Sequence, residues 1–226
     1  MISVAIDGPS GAGKSTIAKA AAKQLGLIYV DTGALYRTVG YAMARENVNL
    51  SDEEALKQAL SKIEVTFSYD AQGTQRVFLN GEDVSEKIRT PEMSMMASKV
   101  SALGKVREFL FDLQRDTAKR QSVVMDGRDI GTVVLPDANV KIFLTASPET
   151  RAKRRYQELV EKGEQVTYED VLKDVIQRDY NDSHREIAPL KQAEDAVLLD
   201  TSEYTLEQSI AAVIRLIEEA MPCSTK

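Results

Sequence analysis

The chain has little of what usually staples a small protein together: its 226 residues include one cysteine, Cys223, and one histidine, His184. A lone cysteine excludes a disulfide framework, and no Cys/His spacing of the zinc-binding kind is present. A reducing cytoplasm fits that usage. Positive charge is not in excess either. The 29 Lys and Arg against 35 Asp and Glu leave a net charge of −6, the wrong sign for a protein that holds nucleic acid by neutralising its phosphates. No apolar run approaches the roughly 18 residues of a membrane span. The apolar opening at 2–6 lacks a basic flank and runs straight into glycines. A soluble, unsecreted protein is expected, touching neither membrane nor nucleic acid. Internal repeats, low-complexity segments and proline-rich linkers are missing too, so a single compact unit is expected. Without an exposed apolar stripe or heptad run, that unit reads as a monomer.

What the chain does have is a 43% hydrophobic content, enough for one sizeable core. Short apolar runs at 2–6, 27–30, 123–125, 140–144 and 197–199 alternate with helical patterns. Each run reads as a buried parallel strand, which predicts a doubly wound α/β fold on a five-stranded parallel sheet. Four runs end on Asp7, Asp31, Asp126 and Asp200. Ligands bind beyond the carboxyl ends of such strands, so these aspartates are site candidates; Asp200, followed by Thr201 and Ser202, reads as turn chemistry instead. Helix starts are signed by Ser51 with Glu54, Thr167 with Asp170, Thr90-Pro91 and Ser147-Pro148. Residues 63–69 and 75–79 alternate like exposed strands, and Asn80-Gly81 marks a tight turn before 82–84. A small antiparallel insert is predicted there. The tail, 222–226, reads as frayed.

The strongest chemical signal is GPSGAGKS at 8–15. It satisfies G-x-x-x-x-G-K-[ST] between a predicted strand and a helix predicted over 14–25. The loop Gly8, Pro9, Ser10, Gly11, Ala12 and Gly13 would wrap phosphate with backbone N–H groups, and the helix start at Lys14, Ser15 and Thr16 would add its positive end. Lys14 would hold β- and γ-phosphates, and Ser15 would place its hydroxyl on Mg²⁺. Asp126, at the end of the third strand, is the candidate to help hold that ion. The motif does not name the acceptor, because ATPases, GTPases and kinases share it.

Asp31-Thr32-Gly33-Ala34-Leu35-Tyr36-Arg37 opens a helix at the second strand's end, directing N–H groups, the Tyr36 ring and Arg37 at the crevice. Arg37 suits a second phosphate, or is a plain surface arginine. Asp126-Gly127-Arg128-Asp129-Ile130-Gly131-Thr132 packs two glycines around an Arg–Asp pair; close approach to a ligand and a structural ion pair are both open readings. Arg151, Arg154 and Arg155 share a helix face, and Arg178, Asp182 and Arg185 repeat the arrangement. Either the arginines aim at phosphate from a mobile lid, or they form a solvated face. The lone His184 reads as surface, without a role. Met93, Met95 and Met96, beside Ala97 and Val100, read as gap-filling core.

GPSGAGKS, DTGALYR, DGRDIGT and RDYNDSHR, in this order and spacing, resemble bacterial cytidylate kinases, the (d)CMP kinases, over nearly the whole chain. The resemblance implies a core at about 1–36, 94–150 and 186–226, a CMP-binding insert at about 37–93 and a lid at about 151–185. It implies ATP with Mg²⁺ on residues 8–16 and CMP or dCMP between core and insert. Carried over by position, Ser98, Arg107 and Asp129 would read cytosine; Arg37, Arg128 and Arg185 would hold the acceptor phosphate; Arg178 and Asp182 would touch the sugar. Thr32 and Tyr36 would line that site, Thr32 standing where relatives often carry Ser. Lys14, Arg128, Arg151, Arg154 and Arg155 would compensate charge during transfer. Two other classes remain: another P-loop small-molecule kinase, and an interaction module that binds ATP without turnover. A regulatory GTP switch is excluded by the absence of N-K-x-D.

Overall fold

The structure, a computed structural model, describes residues 1–221; Cys223 and the tail expected to fray lie outside the described residues. Five strands, β1 (Ser3–Asp7), β2 (Ile28–Asp31), β6 (Val123–Gly127), β7 (Val140–Thr145) and β8 (Val197–Asp200), form a parallel sheet in the order β2-β6-β1-β7-β8. Its register aligns Asp31 with Asp126 across β2 and β6, and Asp7 with Gly127 across β1 and β6. Three of the four strand-end aspartates are thereby brought to one sheet edge. Helix α1 (Lys14–Leu25) and α8 (Leu206–Ala220) cover one face, burying Ile17, Ala18, Val213 and Ile217 against Val4, Ile6, Ile142 and Leu144.

β8 departs from expectation. It pairs with β7 as a parallel strand, but it is the sheet edge, with Val197 and Leu198 exposed instead of buried. Its apolar run carries pairing propensity without a covering layer.

The second layer contains α2 (Thr32–Arg45), α3 (Glu53–Leu60), α4 (Pro91–Ser101) and α5 (Gly104–Arg120), and between them the antiparallel strands β3 (Val65–Tyr69), β4 (Gln75–Leu79) and β5 (Glu82–Asp83). Asn80 and Gly81, at φ 49° and 81°, make the left-handed turn that joins β4 to β5. The insert is not a separate body, because Val65, Val77, Leu79, Val84 and Ile88 share one apolar cluster with Leu35, Val39 and Met43 of α2 and with Val100, Val106 and Leu110. Met93 is buried in this region, Met96 packs against the cluster, and Met95 is 63% exposed, so the methionine group is core only in part.

Helices α6 (Pro148–Glu161) and α7 (Tyr168–His184) form a hairpin with its own small cluster of Ala152, Val171 and Val175 beside Tyr156, Leu159 and Tyr168. Ser147, Thr90 and Thr167 cap their helices as predicted. Helix α3 corrects the reading at Ser51: its cap is Asp52, which accepts from Ala55 N–H, whereas the Ser51 N–H is held by Asn49 Oδ1 in the preceding turn.

Candidate functional site

The loop between β1 and α1 runs beside the α6–α7 hairpin, whose Arg151 reaches Ser10. Gly8 sits at φ 149°, and a Cβ there would lie 1.9 Å from the Leu144 carbonyl oxygen. Only glycine lets the chain leave β1 against β7 and turn into the loop. Gly13 adopts φ 85° as the cap residue of α1, which has no side-chain cap; its first N–H groups are left for a ligand. Lys14 is buried and donates from Nζ to the Pro9 carbonyl at 2.8 Å. Burial lowers its pKa, repulsion from Arg128 adds to the fall, and Asp126 and Asp7 oppose it.

Asp126 closes the floor beside Lys14. Ser15 Oγ donates to its Oδ2 at 2.9 Å and the Tyr29 hydroxyl to its Oδ1 at 2.9 Å. Burial raises the Asp126 pKa, the neighbouring Asp31 adds to it, and Lys14 with the two hydroxyls opposes it. A buried carboxylate that gains from added positive charge, joined to a serine hydroxyl, suits a hard divalent cation with oxygen ligands. Among the described residues no cluster of three His, Cys, Asp or Glu side chains could hold a metal; Ser15 and Asp126 together offer hydroxyl and carboxylate oxygens only. The Thr32 hydroxyl donates to the Asp126 carbonyl at 2.7 Å and pins the start of α2 to β6.

After Gly127 the chain makes a π-helical turn, Ile130–Val134. A Cβ on Gly127 would stand 2.6 Å from Ile130 Cδ1, so this glycine answers to packing. Asp7 organises the turn by accepting N–H bonds from Ile130 (2.8 Å) and Gly131 (2.7 Å). Burial lifts its pKa to about 6, against the pull of those two bonds. The turn presents Arg128 and Asp129 in different directions.

Asp129 is buried and pairs with Arg107 and, at 3.4 Å, with Arg185 Nη2. Burial raises its pKa, with Arg107 and Arg185 pulling down. Arg107 lies 5.8 Å from the centroid of the buried Tyr36 ring, so Tyr36 supports that guanidinium from within the core. Arg185 also reaches Ser101 Oγ at 3.1 Å. Ser98 is half-buried on α4, one turn from Ser101, whose hydroxyl donates to the Ser98 carbonyl.

Arg128 turns the other way, donating from Nε to Asp182 Oδ2 at 2.8 Å. Arg37 pairs with Asp31 at 2.9 Å, while its buried Nε has no partner; Arg178 Nε is buried and unpartnered as well. Burial lowers Arg178 to about 10, with repulsion from Arg128 next; Asp182 opposes, and Arg37 and Arg155 repel further. Arg128 and Arg178 therefore meet at Asp182, while Arg37, paired with Asp31, and Arg155 stand close enough to repel Arg178. Buried guanidinium N–H groups left without an acceptor mark a place for an anion. Arg185 pairs with Asp129 and also feels the charge of Asp182.

The arginines of α6 do not act as one face. Arg151 is buried and fully engaged; Arg154 donates to the Thr201 carbonyl at 2.9 Å; Arg155 pairs with Glu158 at 2.9 Å. Asp200 accepts from Ser202 N and Oγ in an exposed turn, and His184 stacks on exposed Tyr180. Sequence reasoning passed over Tyr29, Gln75 and Asp179. Gln75 clamps the Asp31 backbone, accepting its N–H at 2.8 Å and donating to its carbonyl at 3.3 Å. A glutamine at the start of an exposed-looking strand gives no signal of this; Tyr29, two residues from Asp31 on the same strand face, did.

No described helix is long and apolar enough to cross a membrane. Residues 4–219 match the family model described as cytidylate kinase. The chain is 50% identical over 216 residues to the cytidylate kinase of Thermosipho melanesiensis, covering 96% of each chain. It is 51% identical over 215 residues to that of Caldicellulosiruptor saccharolyticus, covering 95% of each. Among solved structures, an uncharacterized protein from Eubacterium ventriosum aligns over 96% of this chain and 99% of its own, with a TM-score of 0.54 at 14% identity, a likeness of fold alone. Identity at half of all positions across nearly the entire length, on a sheet that carries a phosphate loop at the carboxyl end of β1, makes this chain a kinase of the cytidylate kinase family.

Proposed function

We propose that this protein transfers the γ-phosphoryl group of ATP to CMP or dCMP, giving ADP and CDP or dCDP. The observation that carries the reading is the division of labour around the π-helical turn. On one side a buried Asp129 is flanked by Arg107 and Arg185; on the other, Arg37 and Arg178 hold unpartnered buried nitrogens beside Arg128. A carboxylate accepts the N4 amino group of cytosine, and Arg or hydroxyl donors serve N3 and O2. The arginine group takes the acceptor phosphate. Arg178 and Asp182, one turn apart on α7, suit the sugar, and Ser98 adds a hydroxyl near the base.

The acceptor phosphate has its second pKa near about 6 and is an anion at neutral pH, so no general base is required. The chain supplies orientation and charge. Lys14 and the loop N–H groups hold the donor phosphates, Arg128 and Arg155 face the charge that spreads during in-line transfer, and the lid hairpin keeps water from the phosphoryl group. Ser15 and Asp126, together with the nucleotide, would hold Mg²⁺, which would supply charge compensation on the phosphate oxygens.

The test is a coupled assay of ADP release with ATP, Mg²⁺ and each of CMP, dCMP, UMP, AMP and GMP. Turnover concentrated on CMP and dCMP is expected; release indifferent to the base would overturn the assignment of Asp129.

A further inference from the structure

Arg151 lies in the first turn of α6, on the helix face that sequence spacing aims at phosphate. Its guanidinium is only 3% exposed and every nitrogen is already engaged. Nε donates to the Ala146 carbonyl at 2.8 Å, Nη1 to the Ser10 carbonyl at 3.0 Å and to Asp179 Oδ1 at 3.0 Å, and Nη2 to Asp179 Oδ2 at 2.5 Å. The Asp179 carboxylate grips the fork with both oxygens, which fixes its plane as well as its position.

The bond to Ser10 has a directional consequence. In a trans peptide the carbonyl of one residue and the N–H of the next point to opposite sides. Holding the Ser10 oxygen outward, toward α6, therefore turns the Gly11 N–H inward, toward the hollow of the loop. The local backbone is poised for this: Gly11 is at φ 75°, and a Cβ there would stand 3.3 Å from Arg151 Cβ. Asp179 belongs to α7, the helix that also carries Arg178 and Asp182 toward the acceptor side. One helix thus sets acceptor contacts with two residues and, through Asp179 and Arg151, the orientation of a donor-loop amide.

We propose that Asp179 is a positioning residue for the donor nucleotide. It acts through Arg151 on the Ser10–Gly11 peptide and makes the loop's grip on donor phosphate depend on the placement of α7. The inference rests on the reading that residues 8–15 hold the phosphates of ATP.

The experiment uses the full chain with Asp179→Asn, Asp179→Glu, Arg151→Lys and the double variant Asp179→Asn/Arg151→Lys. Binding of ADP and of CMP is titrated separately by calorimetry, KM and kcat are measured for each substrate, and thermal midpoints are recorded. Asp179→Asn is expected to weaken ADP binding and raise KM for ATP by roughly tenfold, the scale of one charge-assisted contact. Binding of CMP alone should stay within about twofold. Asp179→Glu should recover part of the loss, and the double variant should be no worse than the poorer single, because both substitutions break the same strut. Equal losses for ADP and CMP, additive losses in the double variant, or unchanged ADP binding in Asp179→Asn would each overturn the proposal. Were wild-type protein itself to bind no ADP, the reading of the loop would fail first, and that outcome is separate from any effect of Asp179.

Discussion

The insert and the lid are both excursions from the same sheet, yet they are attached by different forces. The insert strands share their apolar cluster with α2, α4 and α5, so Val77, Leu79 and Val84 are as buried as the residues of the central sheet. The lid hairpin has only its own cluster around Ala152, Val171 and Val175. Besides the Leu190 N–H on the Asp182 carbonyl, its hydrogen bonds to the body run through charged side chains: Arg151 to Ser10, Arg154 to Thr201, Asp182 to Arg128. Apolar attachment is indifferent to what anions are nearby. Attachment by arginine is not, because a phosphate competes for the same donors. The comparison teaches that the insert is fixed by packing, and that the α6–α7 hairpin is held to the body by polar contacts of charged side chains.

The largest way to break this contrast is to hollow out the insert. Leu79→Ala should cost about 2–5 kcal/mol of global stability in urea unfolding, since Leu79 is 1% exposed. Val175→Ala in the lid should cost about 1.5 kcal/mol at most. Equal costs would show that lid and insert unfold as one body.

Asp129 sits where the two attachments meet, paired with Arg107 of α5 and Arg185 beyond α7. Asp129→Asn keeps the shape but sets an amide donor against the cytosine amino group. A loss of about 100-fold in kcat/KM for CMP is expected, with ADP binding spared. Unaltered CMP kinetics would remove Asp129 from base recognition.

Arg155 sharpens the lid side, because its partner Glu158 is a surface residue that can be exchanged for phosphate. Arg155→Ala should lower kcat by about tenfold with little change in KM for CMP. Equal changes in both would mark a passive binding face.

A smaller effect concerns the floor on which both regions rest. Burial, and then Asp31, raise the folded-state pKa of Asp126 above its unfolded value. Its contribution to stability is therefore present at low pH and is lost as pH rises from about 4 through the raised value. Asparagine carries no such charge. Without nucleotide, the thermal midpoint of Asp126→Asn relative to wild type should climb by a few degrees between about pH 4 and pH 8, while activity falls. A difference that stays flat with pH would sink this account.

Much of the frame was legible in the sequence, for physical reasons that can be named. Five apolar runs bounded by turn residues became five parallel strands, and Asn80-Gly81 could only be a left-handed turn. The start of α3 misled because Ser51 and Asp52 are both good caps, and a bond from the Ser51 N–H to Asn49, invisible to spacing rules, decided between them. The exposure of Val197 and Leu198 followed from strand order, which composition does not encode. In the candidate site, spacing singles out Arg151, Arg154 and Arg155 but not their partners, and Ser98 and Arg107 are candidates only through the family resemblance. The i, i+3, i+4 arginines of α6 share a face, yet Arg151 reaches back to the loop and Arg155 stays on its own helix. The supporting group of Tyr29, Gln75 and Asp179 depends on contacts between residues 28 to 97 positions apart in the chain.

Gly8 carries a consequence for how such sequences vary. A side chain there would collide with a main-chain oxygen of β7, which cannot step aside as a flexible side chain could. Change at this position is screened by whether the sheet closes, before any question of phosphate arises. A descendant of this chain that had given up catalysis would still be obliged to keep its first glycine, whereas Lys14 and Ser15 are held by side-chain hydrogen bonds alone. The two ends of the motif therefore record different histories: the first reports that the architecture survives, and the last two residues report that the chemistry does.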